Sequence, residues 1–379
     1  MPTPAPALGS ECARTEEWIA LLGRRDTPTD GVEDYCTFLG AALAQQGVTM
    51  RIVRVPWAEE GWFRALRHLW RESAAWRDHW VLLQYTAMGW SRRGFPLGAL
   101  AVLTILRWRG VRTAVIFHDP FRQGGRRWIH HLRGAFQDWV VRRLYGGATK
   151  AIFADPLETL RWLPKNDSKS VFIPIGANIP ERHRESSAAR NGNAKTVAIF
   201  CLSDPPNRGR ELAEIAHAMG YAAKSGLNAR VVFMGRGTPE ANEDIMRAFD
   251  AVPVEVTNLG LQPANEVGRI LSESDAMLCV RGPLYPRRGS AIAGIACGLP
   301  IIAYAGAAEG TPIAEAGVEL VPYTDREALG IALTRVLADH NAWSQLHEKS
   351  ELAHRRYFSW NVVAPKMRRS LSAKPRAQD

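Results

Sequence analysis

From residue 196 onward, short runs rich in Val and Ile alternate with segments of helical periodicity. The strands predicted from this pattern are 196–202, 230–235, 254–260, 276–280, 300–304 and 318–322. The helices predicted between or after them lie near 208–224, 239–250, 263–272, 290–297 and 325–338. Strict alternation implies parallel strands joined by right-handed crossovers, so this half of the chain predicts a doubly wound α/β sheet.

The first half of the chain repeats the alternation less regularly. Its predicted strands are 18–22, 50–55, 80–84, 113–117 and 151–153, with a helix at 32–46. The polar segment 181–195 has the composition of a linker. We therefore predict an N-terminal Rossmann-like domain at 1–190, a second at 191–340, and a helical tail at 341–379 that packs back on the first. Open α/β sheets bind ligands beyond the carboxyl ends of their strands, so the predicted site is a cleft between the two domains.

Positive charge is concentrated in the first half. Residues 61–150 contain 16 Lys and Arg against four acidic residues, together with eight of the 13 Trp. Nucleic acid, an anionic membrane face or a phosphorylated acceptor would each be attracted to such a surface. No zinc spacing, RNA-binding aromatic motif or helix-turn-helix accompanies the charge, so we do not expect a nucleic-acid partner.

Two segments, 61–80 and 126–144, carry Trp and Leu at helical spacing among Arg residues. Helices that lie in a membrane interface combine these residue types, so we expect residues 61–145 to contact an anionic membrane surface. The simpler alternative is the apolar stripe by which any helix of an α/β domain packs on its sheet.

Cellular location is predicted from cysteine usage and apolar runs. The five Cys are odd in number, widely spaced and mostly within apolar runs, which is typical of reduced thiols in a cytoplasmic protein. The N-terminus lacks the pattern of a secretory signal, and the longest apolar run, 97–106, is about half of the ~20 residues that span a bilayer. The sequence predicts a cytoplasmic protein that, if it meets a membrane, lies on the inner face.

Several motifs together resemble glycosyltransferase family 4. They are IAGIACGLPIIA at 292–303, AEAGVELVPYTDREALGIALTRVL downstream, TVAIFCLSDPPNRGRELAEIAHA at 196–218, VVFMGRG at 231–237 and VIFHDP at 115–120. The resemblance is dense over 196–340 and sparser elsewhere. It implies the GT-B arrangement of two facing domains and a retaining transfer of a sugar, as in hexosyltransferases, from a nucleotide-sugar to a lipid-linked or polysaccharide acceptor.

The resemblance also implies a donor site. Arg208 takes the position of the family's phosphate-binding Lys and would act in catalysis, while Gly260 and Leu261 follow the strand that ends beside the base. Ser290 precedes a predicted helix, where a Ser N-cap, free amides and the helix dipole favour a pyrophosphate. A Ser that only caps a helix and an Arg that is only exposed are the simpler alternatives. The remaining predicted donor-binding residues are Ser203, Arg210, Gly235, Arg236, Arg281, Arg287, Arg288, Gly289 and Glu309.

Two departures from the family bear on activity. The paired glutamates that the family carries eight residues apart fall on Tyr285 and Ala293 here, and the Arg that it places five residues before its Lys falls on Ser203. Either Arg281 and its neighbouring arginines hold the donor instead, or the protein is a non-catalytic nucleotide-sugar binder that assists a partner. The chain contains no Asp-x-Asp motif, so we expect no metal and no cofactor besides the nucleotide-sugar co-substrate.

The acceptor side is predicted from the first half. His118 follows a predicted strand, and the resemblance implies that it is an active-site histidine; a capping or core-edge role is the alternative. Gly31, Gln84 and Tyr85 lie at or after predicted strand ends and are the other expected acceptor-side residues.

Overall fold

Two parallel sheets organise the chain, as the alternation predicts. The computed structural model describes residues 16–122, 128–164, 167–180, 194–306 and 311–372. The N-terminal sheet has the order β2-β1-β3-β4-β5-β6, and the C-terminal sheet has the order β12-β11-β10-β7-β8-β9. The strands are β1 Glu16–Leu22, β2 Val48–Arg54, β3 Trp80–Tyr85, β4 Arg112–Phe117, β5 Lys150–Phe153, β6 Ser170–Phe172, β7 Lys195–Phe200, β8 Ala229–Met234, β9 Glu255–Asn258, β10 Ala276–Cys279, β11 Ile301–Tyr304 and β12 Val318–Val321.

Helices connect the strands and cover both faces of each sheet. They are α1 Gly31–Ala44, α2 Trp57–Glu60, α3 Trp62–Glu72, α4 Leu97–Trp108, α5 Trp128–Gly147, α6 Asn207–Lys224, α7 Asn242–Phe249, α8 Ala264–Glu273, α9 Gly289–Ala296, α10 Arg326–Ala338, α11 His340–Ala353 and α12 Trp360–Ser372. Continuous apolar strands such as β3 are buried along their whole length because helices pack on both sides. The predicted two-domain α/β fold is confirmed.

The last described helix, α12, lies on the N-terminal half of the molecule. Helix α12 packs against α1, and its Trp360 ring stacks on Phe38 with ring centroids 6.2 Å apart. Trp360 Nε1 also donates to the carbonyl of Ala177 at 2.7 Å. The linker segment predicted at 181–195 lies almost wholly outside the described residues.

The Trp-rich region 61–145 divides into buried and exposed positions. The helical stripe predicted across 61–80 is wrong, because α3 ends at Glu72 and Trp80 opens β3. Leu69 and Trp76 are core residues. Large apolar side chains that remain exposed on α3, α4 and α5 are Phe63, Trp70, Leu97, Trp108, Trp128, Ile129, Leu132 and Trp139. None of the helices in the described ranges is long and apolar enough to cross a membrane.

Candidate functional site

The carboxyl ends of the two sheets face each other across a cleft that contains a cavity of about 440 Å³. The N-terminal half contributes Gly31 at the start of α1, Gln84 near the end of β3 and His118 directly after β4. The C-terminal half contributes Arg287 and Gly289, at the start of α9. The structure therefore brings predicted acceptor-side and donor-side residues into one cavity.

His118 is held in a defined tautomer. Gln84 Nε2 donates to the carbonyl of Leu82 at 3.2 Å, so its Oε1 faces the histidine and accepts from His118 Nε2 at 2.7 Å. The ring of Tyr35 packs edge-on against the imidazole at 4.9 Å. Burial lowers the pKa of His118 to about 4, so the side chain is neutral near pH 7. Nδ1 then carries the lone pair and can accept a hydrogen bond from a hydroxyl.

Asp30 sits at the mouth of the same cavity as the N-cap of α1. Its Oδ1 accepts from the amides of Val32 and Glu33 at 3.1 and 3.2 Å. Its Oδ2 accepts from Arg54 Nη2 at 2.7 Å. Burial by itself would raise the pKa of Asp30, but the bonds from Arg54 and the amides outweigh it and the pKa lies below its usual value. The first turn of α1 is therefore already occupied by a carboxylate of the chain.

Arg287 joins the two halves across the cleft. Its Nη2 lies 2.9 Å from Asp119 Oδ1, and its Nη1 lies 3.0 Å from Asp155 Oδ1. Burial raises the pKa of Asp155 more than the attraction of Arg287 lowers it. On its other side, Arg287 helps line a second cavity together with Tyr285, one of the positions where the family has glutamate.

A second cross-cleft ion pair is more exposed. Arg236 Nη1 lies 2.9 Å from Asp26 Oδ2, and Arg236 also donates to the carbonyl of Thr27. Nearby, Asn178 Nδ2 donates to the carbonyl of Gly31 at 3.0 Å. The loop after β1 is thus tied both to the C-terminal sheet and to the segment that follows β6.

The order of the C-terminal sheet reverses between β10 and β7, and open α/β sheets bind ligands at such a switch point. Two buried polar atoms there, Glu211 Oε1 and Arg281 Nε, have no hydrogen-bond partner among the described residues, and the Ser290 hydroxyl lies beside the Cys279 thiol. Burial raises the pKa of the Cys279 thiol, the charges of Arg288 and Arg281 and a hydrogen bond with Ser290 lower it, and Glu211 raises it. Glu211, Arg281 and Ser290 therefore lie within electrostatic reach of one thiol at the end of β10.

Glu211 is almost fully buried, and its other oxygen, Oε2, accepts from the amide of Ser203 at 2.9 Å. This bond holds the loop after β7 beside the switch point. Because an unpaired buried carboxylate oxygen is costly, a ligand that donates hydrogen bonds would fit this position.

Arg208 lies next to Ser203 but is held within the C-terminal half. Its Nε donates to the Ser203 carbonyl at 3.3 Å and its Nη1 to the Glu240 carbonyl at 3.4 Å, with Asp244 Oδ2 3.7 Å away. Arg210 donates to the Tyr323 hydroxyl at 2.7 Å. Neither arginine lines the cleft cavity.

The remaining donor-side residues form the rim of the switch point. Gly235 has a φ of 91° and donates to the carbonyl of Gly260 at 2.8 Å, and a Cβ on Gly235 would lie 2.9 Å from Cys201 Sγ. Leu261 is exposed beside this pair. Arg288 folds back to donate to the Arg281 carbonyl at 3.0 Å.

Two predicted roles change in the structure. Ser290 is the second residue of α9, whose N-cap is Arg288, so the N-cap prediction is wrong. Tyr85 is fully buried in the core, because neighbouring residues of a strand point to opposite faces and Gln84 takes the one toward His118. Ala293 is buried inside α9, and Glu309 lies outside the described residues.

Sequence analysis missed several polar residues of the cleft. Asp30 lies just before a predicted helix, and Asp119 and Asp155 follow the ends of predicted strands, so these three have a recognisable signal and Glu211 has none. Glu211 reads as an ordinary position of an amphipathic helix. Its role depends on which face of α6 meets the loop after β7.

Comparison with known proteins supports the fold. No protein-family model and no curated protein matches the chain by sequence. The chain is similar in structure to HepE of Anabaena, crystallised with UDP and glucose, at 12% identity and a TM-score of 0.67, over 94% of this chain and 99% of that one. It is also similar to sucrose-phosphate synthase of Thermosynechococcus elongatus, at 18% identity and a TM-score of 0.71, over 93% and 98% of the two chains. A glycosyltransferase of Rickettsia africae matches at 12% identity and a TM-score of 0.69, over 95% and 100%. The chain therefore has the GT-B fold, and the assignment to family 4 stays a prediction.

Proposed function

We propose that the protein is a glycosyltransferase that moves a sugar from a nucleotide-sugar to an acceptor held against its N-terminal half. One observation carries the proposal: unpartnered buried polar atoms at the β7/β10 switch point adjoin the helix start that borders the His118 cavity. That UDP is bound in the similar HepE structure supports a nucleotide-sugar as the donor.

The leaving diphosphate would bind at the start of α9. The first amides of α9 and its helix dipole favour an anion. The Arg281 guanidinium nearby forms no ion pair with any described residue. Positive charge at this point stabilises the negative charge that grows on the diphosphate as the sugar leaves. We propose that these groups act without a metal ion and that the transfer retains configuration.

Glu211 would replace the carboxylates that the family places at Tyr285 and Ala293. Its free Oε1 can accept hydrogen bonds from hydroxyls of the donor, while Oε2 stays fixed by Ser203. On the opposite wall, the neutral His118 would accept a hydrogen bond from a sugar hydroxyl at Nδ1.

A second candidate is a non-catalytic nucleotide-sugar binder. The loss of both family glutamates at Tyr285 and Ala293 favours it. The two candidates share the donor site and differ only in turnover.

Ligand binding and turnover together test the proposal. We expect one nucleoside diphosphate from a panel of UDP, GDP and ADP to raise the melting temperature, because a ligand selective for the folded state stabilises it. The matching nucleotide-sugar should be hydrolysed slowly in the absence of acceptor. Binding without hydrolysis or transfer would favour the non-catalytic binder, and the absence of any binding would refute both candidates.

We further propose that the acceptor is lipid-linked and that the enzyme is peripheral on the inner face of the membrane. Exposed Trp128, Ile129, Leu132 and Trp139 on α5 support a membrane-facing surface, since a folded domain rarely leaves such a group in water. Vesicles containing anionic lipid should pellet the protein, and the Trp128→Ser/Leu132→Ser variant should remain in the supernatant. Equal pelleting of both proteins would count against this face.

A further inference from the structure

A third cavity, of about 560 Å³, opens on the N-terminal half outside the cleft. It is a groove between α2, α3, α4 and the loop that follows β3. Its apolar lining includes Trp57, Trp62, Leu66, Phe95, Leu97 and Ala101. Neither the resemblance nor the proposed transfer reaction accounts for it.

The groove is lined by three indole rings, and the Nε1 atoms of Trp57 and Trp90 already have hydrogen-bond partners. Trp57 and Trp62 stack with ring centroids 4.9 Å apart and planes within 4° of parallel. Trp57 Nε1 donates to the carbonyl of Gly89 at 3.0 Å, and Trp90 Nε1 donates to the carbonyl of Gln84 at 2.8 Å. The Trp57 and Trp90 rings therefore offer hydrocarbon surface and no free indole donor to the groove.

Glycine at position 98 is required for this arrangement. The Trp62 ring lies so close to α4 that a Cβ on Gly98 would stand 1.7 Å from Trp62 Cη2. The absence of a Cβ on Gly98 lets the Trp62 ring pack directly across α4. The groove is thus a formed feature of the fold.

One loop separates the groove from the cleft. Thr86, Met88 and Gly89 line the His118 cavity, whereas Trp90 and the residues after it line the groove. Gln84 fixes both ends of this arrangement, because its side chain accepts from His118 and its carbonyl accepts from Trp90. The groove and the cleft cavity therefore adjoin consecutive residues of one loop.

The polar rim of the groove is positive. Arg92 and Arg93 are both exposed lining residues, and the lining contains no acidic side chain. Arg92 donates from Nη2 to the carbonyl of Ala58 at 2.8 Å, and neither guanidinium forms an ion pair with a described residue. Phe63 and Leu97, on the adjoining helices, are exposed as well. This combination fits an anionic amphiphile.

We propose that the groove binds the hydrocarbon chain of a phosphate-bearing acceptor lipid, with Arg92 and Arg93 at its phosphate. The proposal rests on the transfer reaction proposed above and names the chemical class of its acceptor. The lipid chain would anchor the acceptor while its reactive hydroxyl reaches the cavity beside His118.

Calorimetric titration with decyl phosphate below its micelle concentration tests the groove directly. Saturable binding is expected, with inorganic phosphate competing poorly. Ala101→Trp, which fills the groove, should abolish the binding, whereas Thr104→Trp on the exposed side of the same helix should not.

A variant without the two positive charges tests the phosphate contact separately from the hydrocarbon contact. Arg92→Gln/Arg93→Gln should weaken binding of decyl phosphate by about fivefold per arginine, since each basic residue near an anionic lipid contributes about 1 kcal/mol. Decyl maltoside, which has the same chain and no charge, should be unaffected by it. The exposed arginines of the C-terminal half provide the matched control, Arg247→Gln/Arg355→Gln.

Two outcomes would overturn the proposed lipid site. One is full displacement of decyl phosphate by inorganic phosphate, and the other is unchanged decyl phosphate binding in both Ala101→Trp and the double arginine variant. Melting shifts with UDP, GDP and ADP, measured on the same variants, keep this failure distinct from failure of the transfer reaction. Nucleotide binding without decyl phosphate binding would refute only the proposed lipid site. Absence of nucleotide binding in the wild type would refute the proposed transfer reaction itself.

Discussion

The two walls of the cleft differ in how their polar groups are satisfied. On the N-terminal wall, His118 is bonded to Gln84 and Asp30 is bonded to Arg54 and to two amides, while Arg24 Nε and Asn178 Oδ1 are buried without a partner in the described chain. On the C-terminal wall, Glu211 and Arg281 each leave a buried atom without a partner in the described chain.

This difference indicates separate tasks for the walls. An unsatisfied buried polar atom costs about 1–3 kcal/mol, so several in one place are best explained by a ligand that completes them. His118 and Asp30, whose hydrogen bonds are already made, can instead hold a reacting group in one orientation. We therefore assign recognition of the ligand's charge to Glu211 and Arg281 on the C-terminal wall, and positioning to His118 and Asp30 on the N-terminal wall.

The largest effect is expected from His118→Ala. Loss of the fixed Nδ1 acceptor should lower kcat about 100-fold, which is the low end for loss of a positioned acid or base. Affinity for the nucleoside diphosphate should hardly change, because that ligand belongs to the other wall. His217→Ala, at an exposed histidine of α6, is the control. A fall in nucleotide affinity equal to the fall in kcat would break the division between the walls.

Arg281→Ala should act in the opposite way. Removing a charged hydrogen-bond donor from a phosphate should weaken nucleoside diphosphate binding about thirtyfold, as measured by calorimetry. Arg247→Ala, which removes an exposed arginine of α7, should leave the affinity unchanged. Wild-type affinity in Arg281→Ala would mean that the unpartnered cation serves something other than the diphosphate.

The lowered pKa of His118 predicts how the free energy of unfolding depends on pH. Its pKa of about 4 in the folded protein lies below the value of about 6.5 expected when unfolded, so the unfolded chain takes up the proton first. The stabilisation is fully present above pH 6.5 and is lost as the pH falls toward 4. At pH 5 the loss should be roughly 2 kcal/mol.

Urea unfolding of the wild type and of His118→Asn at pH 7 and pH 5 isolates this contribution. The variant has no imidazole to protonate, so its free energy of unfolding should fall less over the same interval. Parallel losses in the two proteins would indicate that His118 titrates normally and that the N-terminal wall is open to water.

The smallest effects concern the ion pairs that join the walls. Asp155 is buried, so Arg287→Met leaves an unpaired carboxylate and should lower the free energy of unfolding by about 1–2 kcal/mol. Adding Asp155→Asn should recover most of the loss, because the stranded charge is removed. The pair of Arg236 with Asp26 is much more exposed, so Arg236→Gln should cost about 0.5 kcal/mol or less. Equal losses for the two arginines would show that burial does not distinguish the pairs.

How far the sequence predicts the molecule depends on how local the signal is. The β7, β8 and β10 strands follow from short apolar runs, and the crossover helices follow from periodicity, so the two-sheet architecture was predictable. Strand β6 has only three residues and α4 is apolar along most of its length, so neither gave a clear periodic signal. Residue type at strand ends was sufficient to select His118 and Gln84, whereas Arg287 was selected as an arginine in the loop before a predicted helix.

The sequence by itself determined the alternating strands and helices, the cleft at their carboxyl ends and the positive character of the first half. Only the tertiary structure decided which charged groups are paired within the protein and which are left to bind a ligand. Arg287 and Asp155 are 132 positions apart in the chain. Glu211 reaches the amide of Ser203 because it lies on the face of α6 that packs against the loop after β7. Residue type sets the charge of each group, but desolvation and pairing depend on neighbours that are distant in sequence and are brought together only by folding.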